Sequence, residues 1–313
     1  MMKILVTGGA GFIGSNFLHY WFGRHPKDEI INFDFMTYAA DPRNLVGLEK
    51  YNYSFIKGDI ADRELVGKAI KDVDAVVNFA AESHVDNSIN DSSRFVHSNI
   101  VGVHSVLEAV RRHGKRFHQV STDEVYGSLP LESSLRFTEE SGYRPMNPYA
   151  ATKASADHLV RSYFNTYGID VTISNCGNNY GPRQHLEKLI PKTISNAMKE
   201  QKIPLYGNGM QVRDWIYVDD HCSAIETILR KGVVGETYLI GADGEMPNIK
   251  IVKLILRELG KPENLIEYIK DRPGHDVRYA LDASKIRKEL GWSSKYSISE
   301  GIKATIDWYR ELK

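Results

Sequence analysis

Short apolar runs alternate with amphipathic segments along the first half of the chain, and this alternation limits the possible folds more than any other feature. The runs that predict strands are Lys3 to Val6, Glu29 to Phe33, Tyr53 to Ile56, Ala75 to Phe79, Phe117 to Ser121 and Asp170 to Ser174. The segments with helical spacing between them include Ile13 to Phe22, Asn99 to His113 and Tyr149 to Tyr167. Near-continuous apolar strands separated by helices are typical of a parallel sheet that is covered on both faces. We therefore predict an α/β fold built on a doubly wound parallel sheet.

The alternation loosens after about residue 178, where proline and glycine become frequent. Helical stretches follow near 188–200, 219–230, 248–259 and 299–312, and we expect the strand-like runs Trp215 to Val218 and Thr237 to Ile240 to return to the main sheet. We predict a nucleotide-binding domain over 1–177, to which 214–243 returns. A smaller C-terminal substrate-binding domain is then made of 178–213 and 244–313.

Composition excludes several classes of protein. The 313 residues include 40 Lys plus Arg and 40 Asp plus Glu, so no net charge attracts nucleic acid or an anionic membrane. No apolar run reaches the roughly 18 residues of a membrane span, and the N-terminus lacks the features of a signal peptide. Cys176 and Cys222 are too few for a disulfide scaffold or a metal cluster. We expect two buried, reduced thiols, no metal site and a cytoplasmic location.

A glycine-rich turn between the first strand and the first helix indicates a dinucleotide site. Gly8, Gly11 and Gly14 permit a tight turn and close approach of a pyrophosphate to the helix N-terminus. Asp34 ends the second strand twenty residues after Gly14, where a carboxylate binds ribose hydroxyls and repels a 2′-phosphate. The alternative is a purely structural turn and a surface aspartate. We predict a Rossmann-type domain that binds NAD rather than NADP.

A second group of residues predicts acid–base chemistry. Tyr149 and Lys153 stand at i and i+4, on one face of a predicted helix, and the ammonium is expected to lower the pKa of the phenol. Thr122, Asp123 and Glu124 follow the strand that ends at Ser121, at the sheet edge where α/β proteins place their active sites. A chance Tyr–Lys pair and an acidic surface turn are the alternative interpretations.

Eight segments, in this order, resemble the dTDP-glucose 4,6-dehydratases of the extended short-chain dehydrogenase/reductase group. They read TGGAGFIGS, AAESHVD, STDEVYG, YAATKAS, NNYGP, EKLIP, VRDWIYVDDH and DRPGH. The resemblance implies that dTDP-glucose loses water to give dTDP-4-keto-6-deoxyglucose, through oxidation at C4, elimination across C5 and C6, and return of the hydride to C6. It further implies that Tyr149 assists the oxidation, Glu124 takes the C5 proton and Asp123 protonates the departing C6 hydroxyl.

The same resemblance implies two sets of binding residues. The cofactor set is Gly8, Gly11, Phe12, Ile13, Gly14, Asp34, Phe35, Met36, Thr37, Asp59, Ile60, Phe79, Ala80, Ala81, Ser83, Ser98, Tyr149, Lys153 and Asn179. The substrate set is Ser83, Thr122, Asn178, Lys188, Leu189, Pro204, Tyr206, Arg213, Asn248, Arg272 and His275. The chain departs from the family pattern in having Ser98 where a threonine is common, and Gln-His-Leu at 184–186.

Other functions share parts of this pattern. A nucleotide-sugar 4-epimerase or decarboxylase would use the same glycine and Tyr–Lys motifs but typically lacks the Asp123-Glu124 pair. A non-catalytic NAD-binding sensor would need the cofactor motif alone. The apolar faces of 98–113 and 150–167, including Val101 and Phe164, together with the resemblance, lead us to expect a homodimer joined through a four-helix bundle.

Overall fold

The computed structural model of the chain describes residues 1–271 and 273–311. Its strands are β1 (Lys3–Thr7), β2 (Glu29–Asp34), β3 (Asn52–Lys57), β4 (Ala75–Asn78), β5 (Arg116–Thr122), β6 (Val171–Cys176), β7 (Asn178–Tyr180), β8 (Ile203–Tyr206), β9 (Val212–Tyr217), β10 (Thr237–Ile240), β11 (Glu245–Pro247) and β12 (Ile266–Ile269). Its α-helices are α1 (Phe12–Arg24), α2 (Arg63–Ile70), α3 (Val85–Asn90), α4 (Ser93–Val96), α5 (Val103–His113), α6 (Pro148–Tyr167), α7 (Leu189–Met198), α8 (Val218–Lys231), α9 (Asn248–Glu258), α10 (Ser284–Leu290) and α11 (Ile298–Glu311).

Within the described residues, a seven-stranded sheet runs in the order β10-β6-β5-β4-β1-β2-β3, and the pairs along it are parallel. The predicted Rossmann-type α/β fold is therefore confirmed. The strand order reverses at β1, which pairs with β2 on one side and with β4 on the other. In open α/β sheets, ligands bind outside the carboxyl ends of the strands at such a reversal.

The two faces of the sheet are buried by different helices. Alternate residues of a strand point to opposite faces, so Leu5 packs with apolar residues of α2, α5 and α6, whereas Ile4 and Val6 pack with those of α1 and α8. Trp21, Phe17 and Phe22 of α1 are fully buried in the second layer. Burial of both faces explains the near-continuous apolar residues of β1 and β4, whereas the buried polar residues of β5 and β6, such as His118 and Ser174, bond to one another.

The C-terminal part of the chain adds smaller sheets to this core. Among the described residues, β11, β9 and β7 form a three-stranded sheet and β12 pairs with β8. The prediction that 237–240 returns to the main sheet is confirmed, because β10 pairs with β6. The prediction for 215–218 is wrong: β9 ends at Tyr217 and pairs with β7 and β11, and Val218 begins α8. Its apolar run fits a small buried sheet as well as the large one, and periodicity alone does not separate the two.

One helix differs from its prediction in its first turn. The stretch expected as a helix from Asn99 to His113 begins as a π-helical segment, His97–Gly102, and continues as α5. The Asn99 side chain accepts from the Glu82 N–H at 2.9 Å and donates to the Thr152 hydroxyl at 2.9 Å. These bonds hold the widened turn against α6, and such turns are frequent at functional sites.

The described helices include none that combines the length and apolar character needed to cross a membrane.

Candidate active site

The glycine-rich turn after β1 packs so closely that side chains are excluded at two positions. A Cβ on Gly8, whose φ is +71°, would lie 2.6 Å from the Ala80 nitrogen. A Cβ on Gly14 would lie 2.3 Å from the Gly8 carbonyl oxygen. Gly11 precedes α1, and a Cβ there would meet only the Gly8 oxygen, at 3.4 Å. The first backbone N–H groups of a helix have no partner within it, so this cradle fits the phosphates of a dinucleotide.

Asp34 lies at the end of β2 and joins the glycine turn to the segment that follows β2. Its carboxylate accepts from the Ala10 N–H at 2.9 Å and from the Met36 N–H at 2.7 Å. Burial raises the pKa of Asp34, and these two hydrogen bonds oppose the rise. Asn32 binds the turn as well, by accepting from the Gly9 N–H at 3.1 Å. The carboxylate therefore sits beside the cradle, where it fits the hydroxyls of a ribose.

A cavity of about 300 Å³ extends from this turn to the carboxyl end of β5. The predicted residues that line it are Gly8, Gly11, Phe12, Ile13, Gly14, Asp34, Phe35, Thr37, Asp59, Ile60, Phe79, Ala80, Ala81, Ser83, Ser98, Thr122, Asp123, Glu124, Tyr149, Lys153, Asn178, Asn179 and Lys188. The predicted residues outside its lining are Met36, Leu189, Pro204, Tyr206, Arg213, Asn248 and His275. Arg272 lies outside the described residues. The cavity thus brings the proposed acid, base and hydroxyl groups together with the glycine cradle.

The carboxyl pair stands on a short 3-10 helix, Asp123–Tyr126, that directly follows β5. The Thr122 hydroxyl caps this helix by accepting from the Glu124 N–H at 3.4 Å, and it lies 3.3 Å from the Asp123 carboxyl. Asn147, which also caps α6, donates to the Glu124 carboxylate at 3.3 Å. The strand end and the helix start are therefore fixed against each other through these side chains.

Asp123 is buried beside other carboxyl groups. It is 1% exposed, and its Oδ2 has no hydrogen-bond partner among the described residues. Its pKa is raised well above its usual range, first by burial and then by the charges of Glu124 and Asp214, with Arg213 opposing. A carboxyl in this environment holds its proton and can act as an acid.

Tyr149 and Lys153 lie one turn apart on α6 and are 9% and 4% exposed. The expectation that Lys153 lowers the pKa of Tyr149 is wrong for this structure. The pKa of Tyr149 is raised well above its usual value, because burial and the nearby Glu124 outweigh a hydrogen bond with Thr122. The Lys153 ammonium instead donates to the Val120 carbonyl at 2.8 Å, and burial lowers its pKa.

The substrate-side residues outside the cavity lining form a neighbouring polar group. Tyr206 donates to the Asp86 carboxylate at 3.0 Å, and its ring centroid lies 5.9 Å from that of His275. Arg213 stacks 4.5 Å above the Tyr279 ring and donates to the Asp276 carbonyl at 2.9 Å. The charge of Arg213 acts on Asp123, so this group adjoins the cavity.

Lys188 belongs to the cavity and not to this second group. It lines the cavity, and its ammonium donates to the Ser83 carbonyl at 3.1 Å.

Several site residues carried no signal in the sequence. Cys176 lines the cavity beside Tyr149, where burial raises the pKa of its thiol to about 12 and keeps it neutral. The expectation of two buried free thiols is confirmed for Cys176 and Cys222. Asp157 and Asp214 are buried next to Lys153 and Asp123. Asp214 lies within the VRDWIYVDDH segment, but the resemblance assigned it no role. Proximity in space identifies Asp214 as part of the site, whereas the spacing of four residues after Lys153 was a weak sequence signal for Asp157.

Known proteins match the chain over almost its whole length. The family described as GDP-mannose 4,6 dehydratase matches residues 5–305. The dTDP-glucose 4,6-dehydratase of Mycobacterium tuberculosis is 49% identical over 311 residues, which cover 99% of this chain and 94% of that protein.

Solved structures agree with these matches. The dTDP-glucose 4,6-dehydratase of Bacillus anthracis, in complex with NAD, is 46% identical with a TM-score of 0.93, covering 99% of this chain and 97% of that one. The enzyme of the same name from Streptomyces venezuelae, with NAD and TYD bound, is 44% identical with a TM-score of 0.96 and the same coverage. By this similarity in sequence and fold, the chain belongs to the dTDP-glucose 4,6-dehydratase family.

Proposed function

We propose that this protein is an NAD-dependent hydro-lyase that converts dTDP-glucose to dTDP-4-keto-6-deoxyglucose. The observation that carries the proposal is the buried Asp123, held beside Glu124 at the end of β5 in the cavity that Tyr149 also lines. For oxidation at C4, the protein needs to supply only a base that removes the hydroxyl proton, since NAD accepts the hydride. A pair of carboxyl groups with different proton affinities is what the removal of water requires in addition.

The residues that would hold NAD are those of the glycine cradle and the ribose site. The N-terminus of α1 and the glycines before it would bind the pyrophosphate, and Asp34 would bind the adenine ribose. When bound, NAD supplies the acceptor and later the donor of a hydride, and in its oxidised form a positive charge within the cavity. Lys153 would orient the nicotinamide ribose through its ammonium.

The chain's own residues would move the protons. Tyr149 would act as its phenolate, which the positive charge of oxidised NAD in the cavity would favour over the neutral phenol of the unliganded site. With Thr122 beside it, Tyr149 would take the proton of the C4 hydroxyl while the C4–H bond breaks. The resulting C4 ketone makes the C5 hydrogen acidic, and Glu124 would remove it as a proton. The C6–O bond then breaks, and Asp123 would give its proton to the hydroxyl that departs as water. Glu124 would return a proton to C5 when C6 has been reduced, so the sugar undergoes no net redox change.

The nucleotide part of the substrate would extend from this cavity towards the C-terminal lobe. Lys188 and Arg213 carry the positive charges expected beside a diphosphate, and guanidinium groups pair well with phosphate oxygens. Tyr206 and His275, whose ring centroids lie 5.9 Å apart, offer ring surfaces. Ser83, Asn178, Leu189, Pro204 and Asn248 complete the proposed substrate contacts, with Arg272 outside the described residues.

The test is an incubation of the purified protein with dTDP-glucose in deuterated water, without added NAD. The expected product has lost one water and gained one deuterium at C5, since Glu124 exchanges its proton with solvent before C5 is protonated again. A C4 epimer of unchanged mass would make the protein an epimerase instead. No product, even with NAD and with UDP- and GDP-sugars supplied, would favour a protein that only binds NAD.

Three broader expectations remain proposals: division into the nucleotide-binding and substrate-binding parts predicted above, a cytoplasmic location and a homodimer. For the proposed dimer, the exposure of side chains on and near α5 and α6 supports one interface surface over others. Val106, Leu107 and Val160 are fully buried in the core, and Leu159 and Phe164 pack against it. Val101, Val96 and Tyr167 remain 42%, 43% and 52% exposed, respectively, so these side chains would lie in the interface. Light scattering of the purified protein gives the mass, and Val101→Asp would convert a dimer to a monomer.

A further inference from the structure

Asp157 is a fully buried carboxylate on the same face of α6 as Tyr149 and Lys153. Tyr149, Lys153 and Asp157 follow each other at intervals of four residues, which places them on one side of the helix. Asp157 is 0% exposed. A charged group so deep in a protein is costly unless it is paired and hydrogen-bonded, so its partners indicate what it does.

The partners of Asp157 connect α6 to the strand end that carries the acid and base. Its Oδ2 accepts from the Ser121 hydroxyl at 2.7 Å, from the Tyr143 hydroxyl at 3.0 Å and from the Asn175 amide at 3.1 Å. The Asn175 amide also donates to the Thr122 carbonyl at 3.2 Å. Ser121 and Thr122 immediately precede Asp123. One carboxylate oxygen therefore fixes the end of β5 twice, directly through Ser121 and indirectly through the Asn175 amide that binds Thr122.

Asp157 also acts on Lys153. Its charge is the main influence that raises the pKa of Lys153 against the lowering by burial, and the charge of Lys153 is the largest influence that opposes the burial of Asp157. The other titratable groups around the pair are Cys176 on β6, whose thiol is neutral, and the phenols of Tyr126, Tyr143 and Tyr149, whose pKa values are all raised by burial first. Arg161 of α6 stacks 4.9 Å from the centroid of the Tyr143 ring and donates at 3.0 Å to the same hydroxyl that binds Asp157.

We infer that Asp157 is a positioning residue that keeps the buried Lys153 protonated and fixes the Ser121–Thr122 strand end against α6. The inference rests on the proposed function, because the roles of Lys153 and Thr122 are part of it. Asp157 itself reaches neither substrate nor cofactor, so it acts through these neighbours. Without its charge, Lys153 would lose its proton at a lower pH. The strand end would lose its direct hydrogen bond from Ser121, and Asn175, which binds the Thr122 carbonyl, would lose an acceptor.

The test is the pH dependence of turnover of dTDP-glucose by the NAD-loaded enzyme. Asp157→Asn should lower kcat and move the basic limb of the kcat profile down by about one pH unit or more, because the opposite charge beside Lys153 is gone. Asp157→Glu restores the charge and should return the limb towards its wild-type position. Tyr143→Phe removes a hydrogen bond to the same oxygen but no charge, and should lower kcat without moving the limb. If Asp157→Asn lowers kcat equally at every pH, the side chain is merely structural and the inference is overturned.

A second measurement keeps the inference testable without catalysis. Asp157→Asn, Lys153→Met and the double variant are unfolded in urea at neutral pH. Each single change leaves one buried charge alone, so the double variant should unfold at a higher urea concentration than the sum of the two losses predicts. Strict additivity would overturn the pairing. Wild-type protein that yields no product would instead contradict the proposed function, and this urea comparison would still decide the inference.

Discussion

Replacing Asp214 by Asn should remove one contribution to the loss of folding free energy that occurs as the pH rises from 4 to 7. Asp214 lies close to the candidate active site. Asp214 lies on β9, is 1% exposed and accepts on one oxygen from the N–H groups of Ala242 and Gly244, at 3.3 and 3.0 Å. Its Oδ2 has no hydrogen-bond partner among the described residues. Burial raises its pKa from 3.8 to about 6, although these hydrogen bonds oppose the rise.

The size of the effect follows from these two pKa values. Their difference of about 2.2 corresponds to about 3 kcal/mol, since a difference of one corresponds to ~1.36 kcal/mol. Between pH 4 and 6 the folded state binds more protons at Asp214 than the unfolded state does. The free energy of unfolding therefore falls as the pH rises through this window. Below pH 4, both states of the wild type carry a neutral carboxyl, which an amide resembles.

The assay is urea unfolding of the wild type and Asp214→Asn at pH 4 and pH 7. Relative to the wild type, the variant should gain about 2.4 kcal/mol in free energy of unfolding between these two pH values, because the unfolded-state carboxyl is already partly ionised at pH 4. Other titrating groups contribute to both proteins and cancel in the comparison. If the two stability curves run parallel from pH 4 to pH 7, burial does not raise the pKa of Asp214, and the reasoning from its burial is refuted.

Three further predictions concern the cofactor site and the thiols. Gly14→Ala should abolish NAD binding measured by calorimetry, because the added Cβ would meet the Gly8 carbonyl at 2.3 Å, whereas Gly23→Ala on the same helix meets nothing within 4 Å and should bind normally. Equal affinities would contradict the cradle. Asp34→Ala should weaken NAD binding by roughly 10- to 100-fold, since hydrogen bonds to a charged group contribute ~1.5–3 kcal/mol, and an unchanged affinity would remove Asp34 from the site. Thiol reagents should not label the native protein at pH 8, because Cys176 and Cys222 are buried and burial raises both pKa values; rapid labelling before unfolding would show that the cavity opens.

The fold and the centre of the site could be predicted because their signals are local. Tight turns require glycine, so Gly8 and Gly14 marked the cradle directly in the sequence. A helix places residues four apart on one face, so Tyr149 and Lys153 could be paired from their spacing alone. The strand before Thr122 placed the acidic residues at the sheet edge. Each of these inferences needs only a few neighbouring residues.

Other features depend on contacts between distant parts of the chain. Asp214 and Arg213 affect Asp123 although about ninety residues separate them, and no motif predicts that approach. The sheet to which β9 belongs is decided by which partners it meets, since its apolar residues suit either sheet. The prediction that the pKa of Tyr149 is lowered was wrong for a related reason. Spacing placed an ammonium nearby but gave no measure of burial or of the carboxylates that oppose it.

The most direct test of the catalytic proposal is to separate oxidation at C4 from elimination at C5 with Glu124→Gln. The amide keeps the shape of the side chain but cannot take a proton, and loss of a general base typically costs 10²- to 10⁴-fold in rate. With dTDP-glucose, the NAD-loaded variant should reduce its cofactor, seen by absorbance, while C5 exchanges no hydrogen with deuterated water and almost no keto-deoxy sugar forms. Tyr149→Phe, as a control, should block cofactor reduction as well. Keto-deoxy sugar formed by Glu124→Gln at the wild-type rate would contradict the central role of the Asp123-Glu124 pair.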